Sequence, residues 1–168
     1  LVLFYGENQG VKKEEISKIL RSNKNKTLIK YEEQQILENI EVFYNEILSG
    51  SLFEAQKIFI INRATEKILK IIEDLLEKNI EDISIIINSH NLEKKSKLRG
   101  LFEKNKNLIC VAFYQDNNAT LSKIAYQFLR DENIIISQSN INLIVNKCNG
   151  DRGILKNELE KISSFTQN

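Results

Sequence analysis

Four positions of the stretch FYGENQGVKK, Phe4 to Lys13, carry the outline of a loop that could hold phosphate. In a loop of the GxxxxGK[ST] kind the glycines let backbone N–H groups turn inward, the lysine reaches the terminal phosphates, and the hydroxyl binds magnesium. Registered on Gly6, the sequence supplies Gly6 and Lys12 but places Val11 at the second glycine and Lys13 at the hydroxyl. A β-branched residue resists positive φ, and an ammonium group does not ligate a cation. The acidic partner is missing as well. A strand such as KIFIIN would end in a carboxylate that holds magnesium, and here those positions are Asn62 and Arg63. Gly6, Val11, Lys12, Lys13, Asn62 and Arg63 thus form a degenerate nucleotide site, expected to bind neither nucleotide nor metal. Lys12 reads as a solvated residue in the first turns of a helix.

A second stretch, SGSLFEA from Ser49 to Ala55, has no reactive group but an unusual arrangement of apolar ones. Gly50 is a plausible helix stop, and Ser51 with Glu54 has the S-x-x-E spacing of a capping box that starts a new turn. Leu52 and Phe53 then take the first two helical positions. Neighbouring residues on a helix point about 100° apart, so the two cannot both face one core direction. On spacing alone, closure of the pair over the sheet edge outranks a binding role.

These stretches are set in an alternation of short apolar runs and segments of helical period, which predicts an α/β fold with a mostly parallel, helix-covered sheet. The expected strands are 1–5, 27–31, 57–62, 83–88 and 108–114, and the expected helices 11–20, 33–48, 66–78 and 92–103. After the polar QDNNAT, residues 115–120, only helices follow: 120–130, 139–148 and 153–165. The expected organisation is a five-stranded core over residues 1–115 and a small three-helix lid over 116–168.

Composition narrows the function classes. Among 168 residues, 24 Lys and Arg face 23 Asp and Glu, so no long-range field draws the chain to a polyanion. The two cysteines have no CxxC spacing and no clustered histidine, which excludes a zinc ribbon and a disulfide framework and fits a reducing, cytoplasmic setting. No apolar run approaches the roughly 18 residues of a membrane span. The sequence begins at Leu1 inside a strand-like run, so natural N-terminal residues are expected to precede it. His90, the one histidine, lacks partners for metal or base chemistry and reads as a loop residue. The run Lys94, Lys95, Lys97, Arg99, Lys104 and Lys106 is interleaved with glutamates and lacks stacking aromatics, so a solvated helix face is expected. Cys148 reads as core, and neither Asp131 with Glu132 nor Asp151 with Glu158 has the spacing of a carboxylate pair.

Three stretches in order, YGENQGVKK, SGSLFEAQKIFIIN and CNGDRGILKNELEKI, together with HNLEKKSKLRGLFEK, carry a family likeness. Across nearly its whole length the chain resembles the delta subunit of the bacterial DNA polymerase III clamp loader. The resemblance implies an AAA+-like core that has lost ATP-binding chemistry, a subunit that opens the ring-shaped sliding clamp, and no intrinsic activity within the polymerase complex. It implies that Leu52 and Phe53 enter the clamp's peptide pocket, with Ser51, Glu54 and Gln56 in support. The implied partners are the sliding clamp (beta subunit) and the other loader subunits, with DNA met only weakly or indirectly; no cofactor is implied. No Ser-Arg-Cys motif is present, and where a nucleotide-sensing arginine belongs the chain has Gly153, with Arg152 one place early. The family's C-terminal collar has no counterpart after Asn168. The rival reading is a nucleotide-dependent ATPase or kinase with a divergent phosphate loop, and a third is a direct DNA-binding module.

Overall fold

A computed structural model describes residues 1–48, 56–78 and 83–166. Five strands, β1 (Val2–Tyr5), β2 (Thr27–Glu32), β3 (Lys57–Ala64), β4 (Ile83–Ser89) and β5 (Ile109–Ala112), form one sheet in the order β2-β3-β4-β1-β5. Every pairing is parallel. Parallel strands buried on both faces read as continuous apolar runs, and Ile58, Phe59, Ile60 and Ile61 of β3 are all buried. The edges differ: Leu28 on β2 and Ile109 on β5 are exposed. After β1 the chain crosses to the far edge, returns through β3 and β4, and crosses β1 to reach β5. In such open sheets ligands bind outside the carboxyl ends of the strands, where Gly6, Asn62 and Asn88 lie.

The helices are α1 (Gln9–Ser22), α2 (Glu33–Glu38), α3 (Ile40–Leu48), α4 (Leu69–Glu77), α5 (Lys97–Lys104), α6 (Asn118–Asp131), α7 (Gln138–Lys147) and α8 (Arg152–Thr166). The single helix expected over 33–48 is two. Asn39 leaves the helical region at φ −140° and ψ 61°, although the apolar spacing runs across the break and buries Ile36, Phe43 and Ile47 together. The segment after β3 opens with a 3₁₀ turn, Glu66–Ile68, whose cap Thr65 accepts from the Lys67 N–H. The helix expected from Leu92 begins only at Lys97, because the Ser96 hydroxyl accepts from the Arg99 N–H and sets the start there.

Two compact units result, one of Leu1–Gly6 with Leu20–Ala112 and the other of Glu7–Ile19 with Phe113–Asn168. The first holds the sheet and its core around Phe43, Phe59, Ile61, Ile72, Ile87 and Phe102. The second has its own core, Leu121, Ala125 and Leu129 of α6 against Ile141, Val145, Cys148, Leu155 and Leu159. Residues 7–19, which the sequence division groups with the sheet, pack in this second unit.

Candidate functional site

In the sheet unit, Gly6 follows β1 with φ 121°, a conformation that L side chains rarely adopt, and its N–H donates to the His90 carbonyl at 3.0 Å. At the end of β3 the register shifts between Asn62 and Ala64, and Arg63 takes a left-handed φ of 53°. Its guanidinium is exposed, 3.4 Å from a Glu32 carboxylate oxygen. The Asn62 side chain accepts from Asn88 Nδ2 at 3.2 Å. The nearby buried acid, Glu33, is already engaged, accepting from the Thr65 N–H at 2.7 Å and the Thr65 hydroxyl at 2.8 Å. The end of β3 itself therefore presents an amide and a cation, and the Glu32 carboxylate beside it lies against that cation.

In the second unit the rest of the loop is built into a polar cluster. Asn8 is buried, and its Nδ2 lies 2.8 Å from Asp116 Oδ2 and 3.3 Å from the carbonyls of Tyr114 and Gly150. Its Oδ1 accepts from the Val11 N–H at 3.3 Å, capping the first turn of α1. Asp116 in turn takes a two-pronged contact from Arg152, Nε at 2.7 Å and a terminal nitrogen at 2.8 Å. That fork holds the Asp116 carboxyl below its usual range, helped by the Asn8 amide and opposed by burial. The Asp151 carboxylate accepts from the Gln9 N–H at 3.0 Å on one oxygen, and from the N–H groups of Gly153 (2.6 Å) and Ile154 (3.3 Å) on the other.

Space at this entrance is closed by backbone. A Cβ placed on Gly10 would sit 2.1 Å from the Gly153 nitrogen and 2.8 Å from Asp151 Oδ1. Lys12 is 1% exposed, which overturns its reading as a solvated residue. Burial lowers its ammonium to about 8, partly opposed by the Asp151 charge. Val11 is half-buried and Lys13 is exposed.

No protein-family model and no curated protein sequence matches the chain. Solved structures do. The clamp loader delta protein YqeN of Bacillus subtilis superposes with a TM-score of 0.57 at 14% identity, over 98% of this chain and 53% of that one. The Holliday junction branch migration motor RuvB of Thermotoga maritima gives 0.60 at 14% identity, over 97% and 54%. Domain III of the Thermotoga maritima replication initiation protein DnaA gives 0.54 at 14%, over 99% and 76%. The fold is AAA+-like. The chain spans about half the length of the delta protein and of RuvB.

Within this AAA+-like frame the other sequence candidates fall as follows. Ser51, Leu52, Phe53 and Glu54 lie outside the described residues. Gln56, the supporting residue beyond them, is exposed, and its carbonyl accepts from the Thr27 N–H at 3.1 Å as β2 and β3 begin. His90 is an exposed loop residue. Lys94, Lys95, Lys97, Lys104 and Lys106 line an open groove of about 950 Å³ with Leu69 and Glu73, while Arg99 is turned inward, over the Tyr5 ring at 4.9 Å and onto Glu103 at 2.7 Å. Cys148 is fully buried, its thiol donating to the Ile144 carbonyl at 3.1 Å. Among the described residues there is no metal-binding cluster and no helix long and apolar enough to cross a membrane.

Asn8, Asp116 and Asp151 were not singled out as site residues from sequence. Asp151 was weighed only as half of a pair with Glu158, whereas its contacts run to Gln9 and the start of α8. The available signal was the D-x-x-x-L spacing, in which an acid one residue ahead of α8 caps it. The Asp116 and Arg152 pair had no such signal, since 36 residues separate its members.

Proposed function

We propose that this chain is the clamp-binding part of a delta-type clamp-loader subunit. It binds and opens a ring-shaped sliding clamp during DNA replication and neither binds nor hydrolyses ATP. One observation carries the second half of the reading: the helix entrance that a phosphate would need is packed against the backbone of Gly153. The first half is supported by the shared fold with a clamp loader delta protein and by the LF pair set after Gly50.

Leu52 and Phe53 are the anchors, with Ser51, Glu54 and Gln56 at their polar rim. Burying two such side chains in an apolar pocket contributes roughly 3 to 6 kcal/mol at most by transfer, or about two to four decades of affinity. No catalytic group is required. A plug that binds the open ring better than the closed one shifts the ring toward opening, and only by that difference in affinity. The partners are the sliding clamp and, in the longer protein, the other subunits of a DNA polymerase III loader. The location is the cytoplasm, at the replisome.

A titration of the cognate clamp with wild type and with Leu52→Ala/Phe53→Ala tests this. The double variant is expected to lose at least one hundredfold in affinity, while unchanged affinity would remove the assigned site. Calorimetry with ATP and magnesium addresses the other half. Saturable binding that Lys12→Ala abolishes would replace the proposal with a nucleotide-dependent enzyme.

A further inference from the structure

We infer that the Asp151 carboxylate is the resident anion of the α1 entrance, a contact in which the chain itself supplies the negative charge that a phosphate would bring. The inference rests on the nucleotide-independent half of the proposed function and gives it a cause.

A helix N-terminus has unpaired N–H groups and a positive end of the backbone dipole, and it attracts an anion unless something internal satisfies it. At α1 two internal groups do so. The Asn8 amide oxygen takes the Val11 N–H, and the Asp151 carboxylate takes the Gln9 N–H. The same carboxylate is the group whose charge supports the buried Lys12 ammonium. A first-turn N–H and a lysine three positions on are the elements that a phosphate loop turns toward its ligand. Here the N–H donates to a carboxylate that arrives from the start of α8, and the charge of that carboxylate favours the protonated lysine.

Charge and shape act together. Asp151 Oδ1 also caps α8 through Gly153 and Ile154, so the carboxylate is shared between two helix starts that both favour negative charge. Gly10 and Gly153 meet backbone to backbone, leaving no room beyond the carboxylate itself. The entrance thus accepts an anion the size of a carboxyl group and refuses a phosphate chain. The Asp116 and Arg152 fork adjoins it through Asn8 and fixes Arg152 away from any ligand.

The test is chemical rescue. Asp151→Ala vacates the volume of one carboxylate, and formate is the probe that fits it. Thermal unfolding of Asp151→Ala is expected at a lower midpoint than wild type. Sodium formate should raise it saturably by a few degrees where sodium chloride of equal ionic strength does not. Wild type should show no difference between the salts, and adding Lys12→Met should abolish the formate response. A folded Asp151→Ala protein that ignores formate overturns the inference.

Should Asp151→Ala fail to fold, two measurements still decide. In Asp151→Asn, which keeps the shape and the α8 cap but sets an amide NH2 against the Gln9 N–H, the Lys12 ammonium observed by NMR should lose its proton at lower pH than in wild type; an unmoved titration overturns the inference. In wild type, pyrophosphate should leave the Gln9 and Lys12 amide signals unchanged, and a saturable shift there overturns it. Clamp affinity is read separately. Loss of rescue with intact clamp binding removes only this inference, and clamp binding indifferent to Leu52 and Phe53 removes only the proposed anchors.

Discussion

The sheet unit and the α1 entrance are held by different physics. Around Phe59 the sheet unit is a continuous apolar core in which Ile61, Ile72, Ile87 and Phe102 all lie at or below 1% exposure. Such burial is non-directional and roughly additive in area, so many sequences of similar apolarity would serve. The α1 entrance is the reverse: Asn8, Gln9, Asp116, Asp151 and Arg152 meet through a few directional contacts, each of which needs its partner in place. The core tolerates exchange of one aliphatic for another, and the entrance tolerates almost none. A fold can therefore persist while a site on it is rebuilt, because scaffold and site draw on separate interactions.

That contrast is broken most forcefully by a cavity in the core. Phe59→Ala removes a fully buried ring that packs edge-on against Phe43 at 6.3 Å between centroids. It should cost about 3 to 5 kcal/mol in urea unfolding. At the entrance a single added methyl should matter nearly as much. Gly10→Ala presses a Cβ into backbone that cannot swing aside and should destabilise by about 1 to 3 kcal/mol. Its control is Gly100→Ala in α5, where nothing lies within 4 Å. That change should stabilise by about 0.5 to 1 kcal/mol. Equal effects at the two glycines would erase the distinction between a filled entrance and an ordinary helix.

The smallest effect is one of pH. Lys12 sits at about 8 in the folded chain, against 10.5 when unperturbed, with Asp151 as the acid that favours its charge. Between those values the unfolded chain binds a proton that the folded chain does not, so stability rises with pH through this window. Below about 8 both states are charged and the burial penalty is present in full; above 10.5 it is gone. Lys12→Met should therefore be more stable than wild type at pH 7, and the gap should narrow by pH 10. A gap that stays constant would mean that Lys12 keeps its proton throughout.

The strands were legible because β1, β3 and β4 are apolar on both faces, a pattern that only a covered parallel sheet explains. Seven helices were legible where the described residues form eight, and their extents were less so. Asn39 breaks an unbroken apolar spacing through a backbone angle, and a side-chain period carries no record of that. The degeneracy of the loop was also plain, since Val11 and Lys13 are wrong in kind. The fate of Lys12 was not. It lies in a turn whose neighbours Gln9 and Gly10 meet Asp151 and Gly153 from about 140 residues further along the chain, and no local window contains both ends of those contacts. The clamp-binding residues rest on the family likeness, for spacing alone favours a structural place for Leu52 and Phe53.

The second unit is discontinuous: residues 7–19 belong with a segment that starts at Phe113. During synthesis α1 leaves the ribosome long before the helices it will pack against exist. Its polar first turn, with Asn8 and Lys12, must wait in water until Asp116 and Asp151 arrive, while the intervening strands are free to pair. Closure of this pair of distant segments is thus the late, high-separation event in folding. A ribosome stalled before Asp116 should carry a nascent chain whose α1 is still unanchored.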